Sequence, residues 1–197
     1  MTGDRRPGRP RSEATRRAIE AAALDELRER GYASLTIEGI AARAGAGKQT
    51  IYRWWRSKAD LVLDAMTDFA DATVPIPDEG SLPGDLLAFL VASFRQRGAR
   101  PALVGLMAHA VLDPEFAPAF RERFLFARRA ALRGILQRAV ARGEIDEAVD
   151  LELLLDVVFG VLWYRLLVDH ASLDDAAARD LAALVVRAAS LNQVAAQ

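Results

Sequence analysis

Apolar side chains recur at helical spacing along almost the whole chain, and no segment alternates as a half-buried strand would. The first apolar stripe consists of Ile19, Ala22, Ala23 and Leu27. It predicts a helix from Glu13 to about Arg30 that Gly31 terminates. Five more helices are predicted in the C-terminal half, near residues 86–97, 101–112, 115–142, 151–169 and 174–193. The pattern therefore predicts an all-α protein of about nine helices.

Two short helices follow the first one. The apolar face of the earlier helix consists of Ile37, Ile40, Ala41 and Ala44. Thr36 is its expected N-cap, and Gly45 and Gly47 interrupt the chain after it. The later helix then runs from about Lys48 to Trp55. Two short helices joined by a tight glycine-containing turn are typical of a helix-turn-helix, whose second helix can enter the major groove of DNA.

The side chains of this second short helix separate into two faces at about 100° per residue. Ile51 and Trp55 share the face that would pack inward. The opposite face carries Gln49, Thr50 and Arg53, with Tyr52 and Trp54 on its flanks. Amide, hydroxyl and guanidinium groups can read base edges, and glutamine suits adenine while arginine suits guanine. A solvated surface helix with a polar outer face is the alternative.

A fourth helix is predicted from Ser57, which forms a capping-box-like pair with Asp60. Lys58 lies in its first turn, where a cation opposes the helix dipole. Local stability therefore does not explain Lys58, whereas a contact with a DNA phosphate would. The helix is expected to end near Thr73, before a loop that is rich in proline and glycine.

About the first 65 residues resemble the DNA-binding domain of the TetR family of bacterial transcriptional regulators. The matching features are the helix from Arg16 to Gly31, the segments RGYASLTIEGIAARAG and GKQTIYRWW, and the SKADL start of the fourth helix. The family commonly has Phe or Tyr where this chain has Trp54 and Trp55. Geometry and resemblance together predict base contacts from Gln49, Thr50 and Arg53, and phosphate contacts from Lys48, Tyr52, Trp54, Lys58 and Thr36. Capping alone is the alternative role of Thr36.

The charge distribution agrees with a DNA-binding N-terminal region. The net charge is −1, but residues 1–60 hold 13 basic side chains against 8 acidic ones, while the remainder holds 13 against 19. Residues 1–12 are predicted to be a disordered basic arm. Their RPGRPR run is similar to the core of an AT-hook, so Arg9 and Arg11 are candidate DNA contacts. A solubilising tail is the alternative.

The last two predicted helices favour a homodimer. The helix at residues 151–168 is apolar on almost all sides. One side can pack against the chain's own helices, and a second copy of the chain is the expected partner for the opposite side. The expected interface consists of Leu155, Phe159, Leu162, Leu181, Leu184, Val185 and Ala188. In TetR-like proteins these helices pair with their symmetry mates as a four-helix bundle. Two recognition helices about one DNA turn apart, roughly 34 Å, would bind a pseudo-palindromic operator. A single central helix wrapped by its own chain is the alternative.

The resemblance divides the chain into a helix-turn-helix domain at residues 13–60 and a helical domain at 61–197 for effector binding and dimerisation. It implies a small-molecule effector site in the second domain. Candidate lining residues are Met66, Phe69, Phe94, Met107, His109, Phe124, Trp163 and Tyr164, with His109 as a possible polar anchor. Each of them is also compatible with an ordinary core position. The resulting hypothesis is a repressor that a small apolar molecule releases from its operator.

Composition and motifs exclude several other classes. There is no cysteine, and His109 and His170 are the only histidines. No catalytic triad, di-iron motif or phosphate loop is present, so neither an enzyme nor a cofactor or metal site is expected. Without a signal peptide or an uninterrupted apolar span, a soluble cytoplasmic protein is expected. An activator, an architectural DNA binder without an effector, and a helical-bundle enzyme or carrier remain as alternatives.

Overall fold

A computed structural model describes residues 9–190 of the chain, apart from the side chains of residues 9–12 and Arg97. The helices are α1 (Arg9–Ser34), α2 (Ile37–Ala44), α3 (Lys48–Tyr52), α4 (Lys58–Thr73), α5 (Leu82–Phe94), α6 (Arg100–Leu112), α7 (Ala117–Phe120), α8 (Phe126–Ala141), α9 (Leu151–Val168) and α10 (Asp175–Ser190). A 3₁₀ turn, Arg97–Ala99, precedes α6, and a π-helical turn, Arg121–Leu125, joins α7 to α8. If α7 and α8 are counted as one continuous helical segment, the described residues form nine such segments, and no strand occurs among them. The predicted all-α class is confirmed.

Most predicted boundaries agree with the structure within a few residues, but the start of α1 does not. Its backbone is helical from Arg9, whereas the predicted disordered arm extended to residue 12. Residues 1–8 and the side chains of Arg9 and Arg11 lie outside the described part, so their predicted DNA contacts stay predictions. At the other end, Gly31 has a φ of 74° that interrupts the helix, as predicted.

The chain folds as two compact units. The first unit contains the described residues up to Asp68 together with Pro101–Ala117, and the second contains Phe69–Arg100 and the described residues from Pro118 onward. The α6 helix, apart from Arg100, therefore belongs to the same unit as the predicted helix-turn-helix. This division differs from the predicted boundary after residue 60.

Each unit has its own apolar core. Buried side chains of the first unit include Ile19, Leu27, Ile40, Ile51, Trp55, Leu61, Met66 and Leu106. The core of the second unit is formed by residues of α5, α8, α9 and α10, together with Val74 and Ile145. The carboxylate of Asp85 is fully buried beside this core, where it accepts a hydrogen bond from Nη2 of Arg142 at 3.3 Å. In the described part of the chain, no helix is long and apolar enough to cross a membrane.

Candidate nucleic-acid interface

The α2 helix is fixed at both ends by the residues that the sequence indicated. Thr36 caps its N-terminus by accepting a hydrogen bond from the backbone N–H of Gly39 at 3.1 Å, which confirms the capping role. Gly45 ends the helix in the left-handed region, with a φ of 62°. The guanidinium of Arg43 bonds at 2.9 Å to the buried carboxylate of Glu26 on α1. The α2 helix is therefore held firmly against α1.

The α3 helix is short, and two side chains anchor it. Ile51 and Trp55 are both buried, as the sequence predicted. The regular helix ends at Tyr52, earlier than predicted, but the N–H groups of Trp54 and Trp55 still donate to the carbonyl of Ile51 at 2.9 and 3.0 Å. The indole N–H of Trp55 also donates to Oδ2 of Asp64 on α4 at 2.8 Å. A phenylalanine at this position could not make that bond.

The outer face of α3 is open to solvent. Gln49 and Arg53 are exposed, and Thr50 is half-buried. Tyr52 and Trp54 on the flanks are 55% and 39% exposed, which is high for large aromatic side chains in a small helical unit. Within the described residues, the side chains of Gln49 and Arg53 have no hydrogen bond or ion pair. Their donors and acceptors are therefore available to a partner molecule.

Lys48, at the start of α3, already has a partner within the unit. Its Nζ is hydrogen-bonded to the carboxylate of Glu38 on α2. This hydrogen bond lowers the pKa of the Glu38 carboxyl below its usual value. Both side chains are solvent-exposed, so water and salt weaken the pair, and a DNA phosphate can compete with Glu38 for Lys48.

Lys58 is placed differently from the sequence-based expectation. Its Nζ donates to the backbone carbonyls of Tyr32 and Leu35, both at 3.0 Å, and lies 4.6 Å from the centroid of the Tyr32 ring. Burial lowers the pKa of its ammonium group. Local interactions therefore do explain Lys58, contrary to the sequence-based inference. Its ammonium donates to the Leu35 carbonyl just beyond the end of α1 and shares the Tyr32 carbonyl with the backbone N–H of Leu35. The phosphate contact of Lys58 stays a prediction without this support.

Arg56 is a candidate contact that the sequence reasoning missed. It lies between α3 and α4, its side chain is exposed, and it has no hydrogen bond or ion pair with any other described residue. A guanidinium group between α3 and α4 can donate charge-assisted hydrogen bonds to a DNA phosphate oxygen. The available signal was a third basic residue beside the two tryptophans, in the run RWWRSK.

The predicted dimer residues divide into two groups. Leu155, Leu181 and Val185 are buried in the core of their own unit, which leaves little of their surface for a partner, and their assignment to the interface stays a prediction. Phe159 and Leu162 are half-buried against that core, whereas Leu184 and Ala188 are exposed. The large exposed apolar side chains of α9 and α10 are Leu153 (60%), Tyr164 (60%), Leu167, Val168 and Leu184 (48%). Of these five, the sequence predicted only Leu184 at the interface, and it predicted Tyr164 at the effector site.

The predicted effector residues are distributed over both units. Met66, Met107 and His109 belong to the first unit, and Phe69, Phe94, Phe124, Trp163 and Tyr164 to the second.

In the first unit, the His109 ring lies 4.9 Å from the Phe116 ring, and its Nε2 is 3.4 Å from Oδ2 of Asp113. In the second unit, Phe120 contacts Phe124 at 5.9 Å and Trp163 at 6.3 Å between ring centroids. Phe94 is part of the core of that unit, and Tyr164 lies against His170 on the surface. The ring of Phe120 thus links Phe124 to Trp163.

Comparisons with known proteins agree with this geometry. The family model for bacterial regulatory proteins of the tetR family matches residues 19–65, and the model for a tetracyclin repressor-like C-terminal domain matches residues 76–185. The chain is 36% identical over 176 residues to the HTH-type transcriptional regulator YdeS of Bacillus subtilis, which covers 88% of this chain and 89% of YdeS.

Two further similarities extend over most of the chain. A protein of Mycobacteroides abscessus named DNA-binding transcriptional repressor TetR is 35% identical over 173 residues, covering 84% of this chain and 88% of that protein. Among solved structures, the TetR family transcription regulator SCO0332 has a TM-score of 0.76 and 32% identity, covering 87% of this chain and 96% of that one.

Proposed function

Because the chain belongs to the TetR family and is a DNA-binding transcriptional regulator, we propose that it is a homodimeric repressor released from its operator by a small apolar molecule. The observation that carries the proposal is the division of α3 into two faces. Ile51 and Trp55 anchor the helix to its own unit, and Gln49 and Arg53 remain unpaired on the outside. Repression is supported by the relative from Mycobacteroides abscessus, whose name describes a repressor.

In the proposed complex, α3 lies in the major groove with its outer face toward the bases. Arg53 donates two hydrogen bonds to O6 and N7 of a guanine, and Gln49 pairs with N6 and N7 of an adenine. Thr50, which is half-buried, contacts a base edge with its hydroxyl group. Lys48, Tyr52, Trp54 and Arg56 surround this face and contact the phosphates, which fix the register of the helix.

The dimer is proposed on the surface of the second unit. Large apolar side chains on α9 and α10 remain exposed in the single chain, and a patch of this kind favours association. Two recognition helices about one helical turn apart, roughly 34 Å, then contact the two halves of a pseudo-palindrome.

The effector site is proposed around the aromatic group Phe120, Phe124 and Trp163 of the second unit. Stacked and edge-on rings of this kind suit an apolar or aromatic ligand. The π-helical turn Arg121–Leu125 lies in the same stretch, and such turns occur frequently at functional sites. The effector lowers the affinity for the operator by the same factor by which DNA lowers the affinity for the effector.

The test is a selection of DNA sequences from a random duplex pool by the full-length protein. The proposal predicts enrichment of a pseudo-palindrome with half-sites about 10 base pairs apart. Arg53→Ala should weaken binding to the selected duplex and relax the preference at one base position in each half-site. Arg121→Ala, which removes an exposed charge from the second unit, is the matched control and should leave the selected sequence unchanged. Recovery of a non-repetitive or random pool would contradict the proposal.

The sign of regulation needs a second measurement. A reporter gene placed behind the selected duplex should be transcribed less when the protein is present. Higher transcription in the presence of the protein would identify an activator. An unchanged level would favour an architectural DNA binder.

A further inference from the structure

The α6 helix contacts the C-terminal end of α1 through a glycine. Ala102 and Leu106 of α6 are fully buried, and Gly105 lies between them in sequence. A Cβ atom added to Gly105 would stand 2.3 Å from Cγ and 2.4 Å from Cβ of Tyr32, which is closer than real Cβ atoms approach other atoms. These are the atoms nearest the Tyr32 backbone, so a rotation of the ring alone does not remove the collision. Because Gly105 has no side chain, the surface of α6 has a notch at this residue, and the Tyr32 side chain occupies it.

Tyr32 connects this notch to the start of α4. Its half-buried ring lies beneath the ammonium of Lys58, at 4.6 Å, and 6.4 Å from the ring of His109 on α6. Its carbonyl accepts a hydrogen bond from the same ammonium, which also bonds the carbonyl of Leu35 just before α2. One lysine thus joins the end of α1, the entry to α2 and the first residue of α4.

This junction supports α3, which is otherwise held by the buried side chains of Ile51 and Trp55 and by the hydrogen bond from Trp55 to Asp64. The helix has five residues, and its N-cap, Gly47, provides no side-chain hydrogen bond. The chain enters α3 from α2 and leaves it into α4 after Arg56 and Ser57. A displacement of the starts of α2 or α4 therefore moves the exposed face of α3.

We propose that Gly105 and Tyr32 are positioning residues for the DNA-reading helix α3. In this proposal α6 packs against Tyr32 at Gly105, and the Tyr32 ring and carbonyl bind the ammonium of Lys58. Lys58 in turn connects the start of α4 to the entry of α2, the two helices that flank α3. Neither residue belongs to the outer face of α3. Their effect on DNA rests on the proposed function, whereas their effect on the order of α2 and α3 does not.

The test compares Gly105→Ala with Gly134→Ala in the full-length protein. Gly134 lies within α8, and a Cβ atom added there meets nothing within 4 Å, so it is the matched control. Two properties are measured: affinity for a duplex that the wild-type protein selects from a random pool, relative to a scrambled duplex, and amide hydrogen exchange in α2 and α3 relative to α10. Gly105→Ala should weaken binding to the selected duplex by about tenfold or more. It should also accelerate exchange in α2 and α3 but not in α10. Gly134→Ala should change neither property.

Tyr32→Phe and Tyr32→Leu provide a second comparison that needs no new atom in the notch. Phenylalanine keeps the ring over Lys58 and should behave as the wild-type protein does, whereas leucine lacks the π face and should resemble Gly105→Ala. If Gly105→Ala does not fold, the comparison of Tyr32→Phe with Tyr32→Leu decides whether the proposal holds. Wild-type affinity and wild-type exchange in Gly105→Ala, or equal behaviour of the two Tyr32 variants, would overturn the proposal. If the wild-type protein selects no duplex, the proposed function fails, and the exchange measurements alone decide whether Gly105 and Tyr32 position α3.

Discussion

The hydrogen bond between Trp55 and Asp64 is the clearest single contact between the end of α3 and the body of its unit. The donor side chain is 3% exposed, the acceptor is half-buried, and the two heavy atoms are 2.8 Å apart. A hydrogen bond to a charged group contributes about 1.5–3 kcal/mol, and partial exposure of Asp64 places this one near the lower limit. Removing either partner should therefore lower the free energy of unfolding.

A double-mutant cycle separates the bond from the packing around it. Trp55→Phe removes the donor and also leaves a small cavity, while Asp64→Leu leaves the indole N–H without this acceptor. The cycle cancels the cavity contribution, and we expect a coupling free energy of about 1.5–2 kcal/mol. Asp64→Asn, which retains a carbonyl acceptor, is the conservative control and should be the mildest of the single variants.

The assay is urea unfolding followed by far-ultraviolet circular dichroism at one fixed protein concentration, because association would otherwise change the apparent stability. Affinity for the selected DNA duplex should fall in the same order as stability, since the bond fixes the end of the recognition helix. A coupling free energy below about 0.5 kcal/mol lies within the additivity of independent sites. That result would refute the claim that this bond anchors α3.

Three further predictions concern other parts of the chain. Arg56→Ala should reduce the slope of log affinity against log salt by about one, whereas Lys58→Ala should lower stability and leave that slope unchanged; salt-titrated binding and urea unfolding distinguish the two. Burial, with a smaller contribution from the charge of Asp60, raises the pKa of Tyr32 to about 12. The folded state therefore holds this proton more tightly than the unfolded state does, and the associated stability is complete below about pH 10 and is lost as the pH rises to about 12. Unfolding free energies measured across this range should fall less for Tyr32→Phe than for the wild-type protein, and equal slopes would contradict the buried position of the hydroxyl. Tyr164→Arg combined with Leu184→Arg places charges on the exposed apolar surface of α9 and α10 and should yield a monomer in sedimentation equilibrium; a persistent dimer would show that copies associate elsewhere.

Helical periodicity was sufficient to predict both faces of α3. The inward positions of Ile51 and Trp55 and the outward positions of Gln49 and Arg53 follow from the angle between successive residues, which tertiary structure did not change here. The cap at Thr36 was equally predictable, because it depends on atoms within one turn of helix.

Contacts between distant parts of the chain could not be predicted in this way. The role of Lys58 depends on carbonyls of Tyr32 and Leu35, which no local pattern places beside it. Leu155 illustrates a second limit: on a helix that is apolar almost all round, periodicity does not show which side faces the core of its own unit. The membership of α6 in the first unit likewise depends on tertiary contacts, among them the approach of Gly105 to Tyr32.

The most direct test of base reading by α3 is the affinity of the Arg53→Ala variant for two duplexes, the selected one and a scrambled one of equal length and composition. If Arg53 contacts a base, the variant should lose about 1–3 kcal/mol on the selected duplex. On the scrambled duplex, where the guanidinium supplies only general electrostatic attraction, the loss should be much smaller. Equal losses on both duplexes would contradict a base-reading role for the outer face of α3.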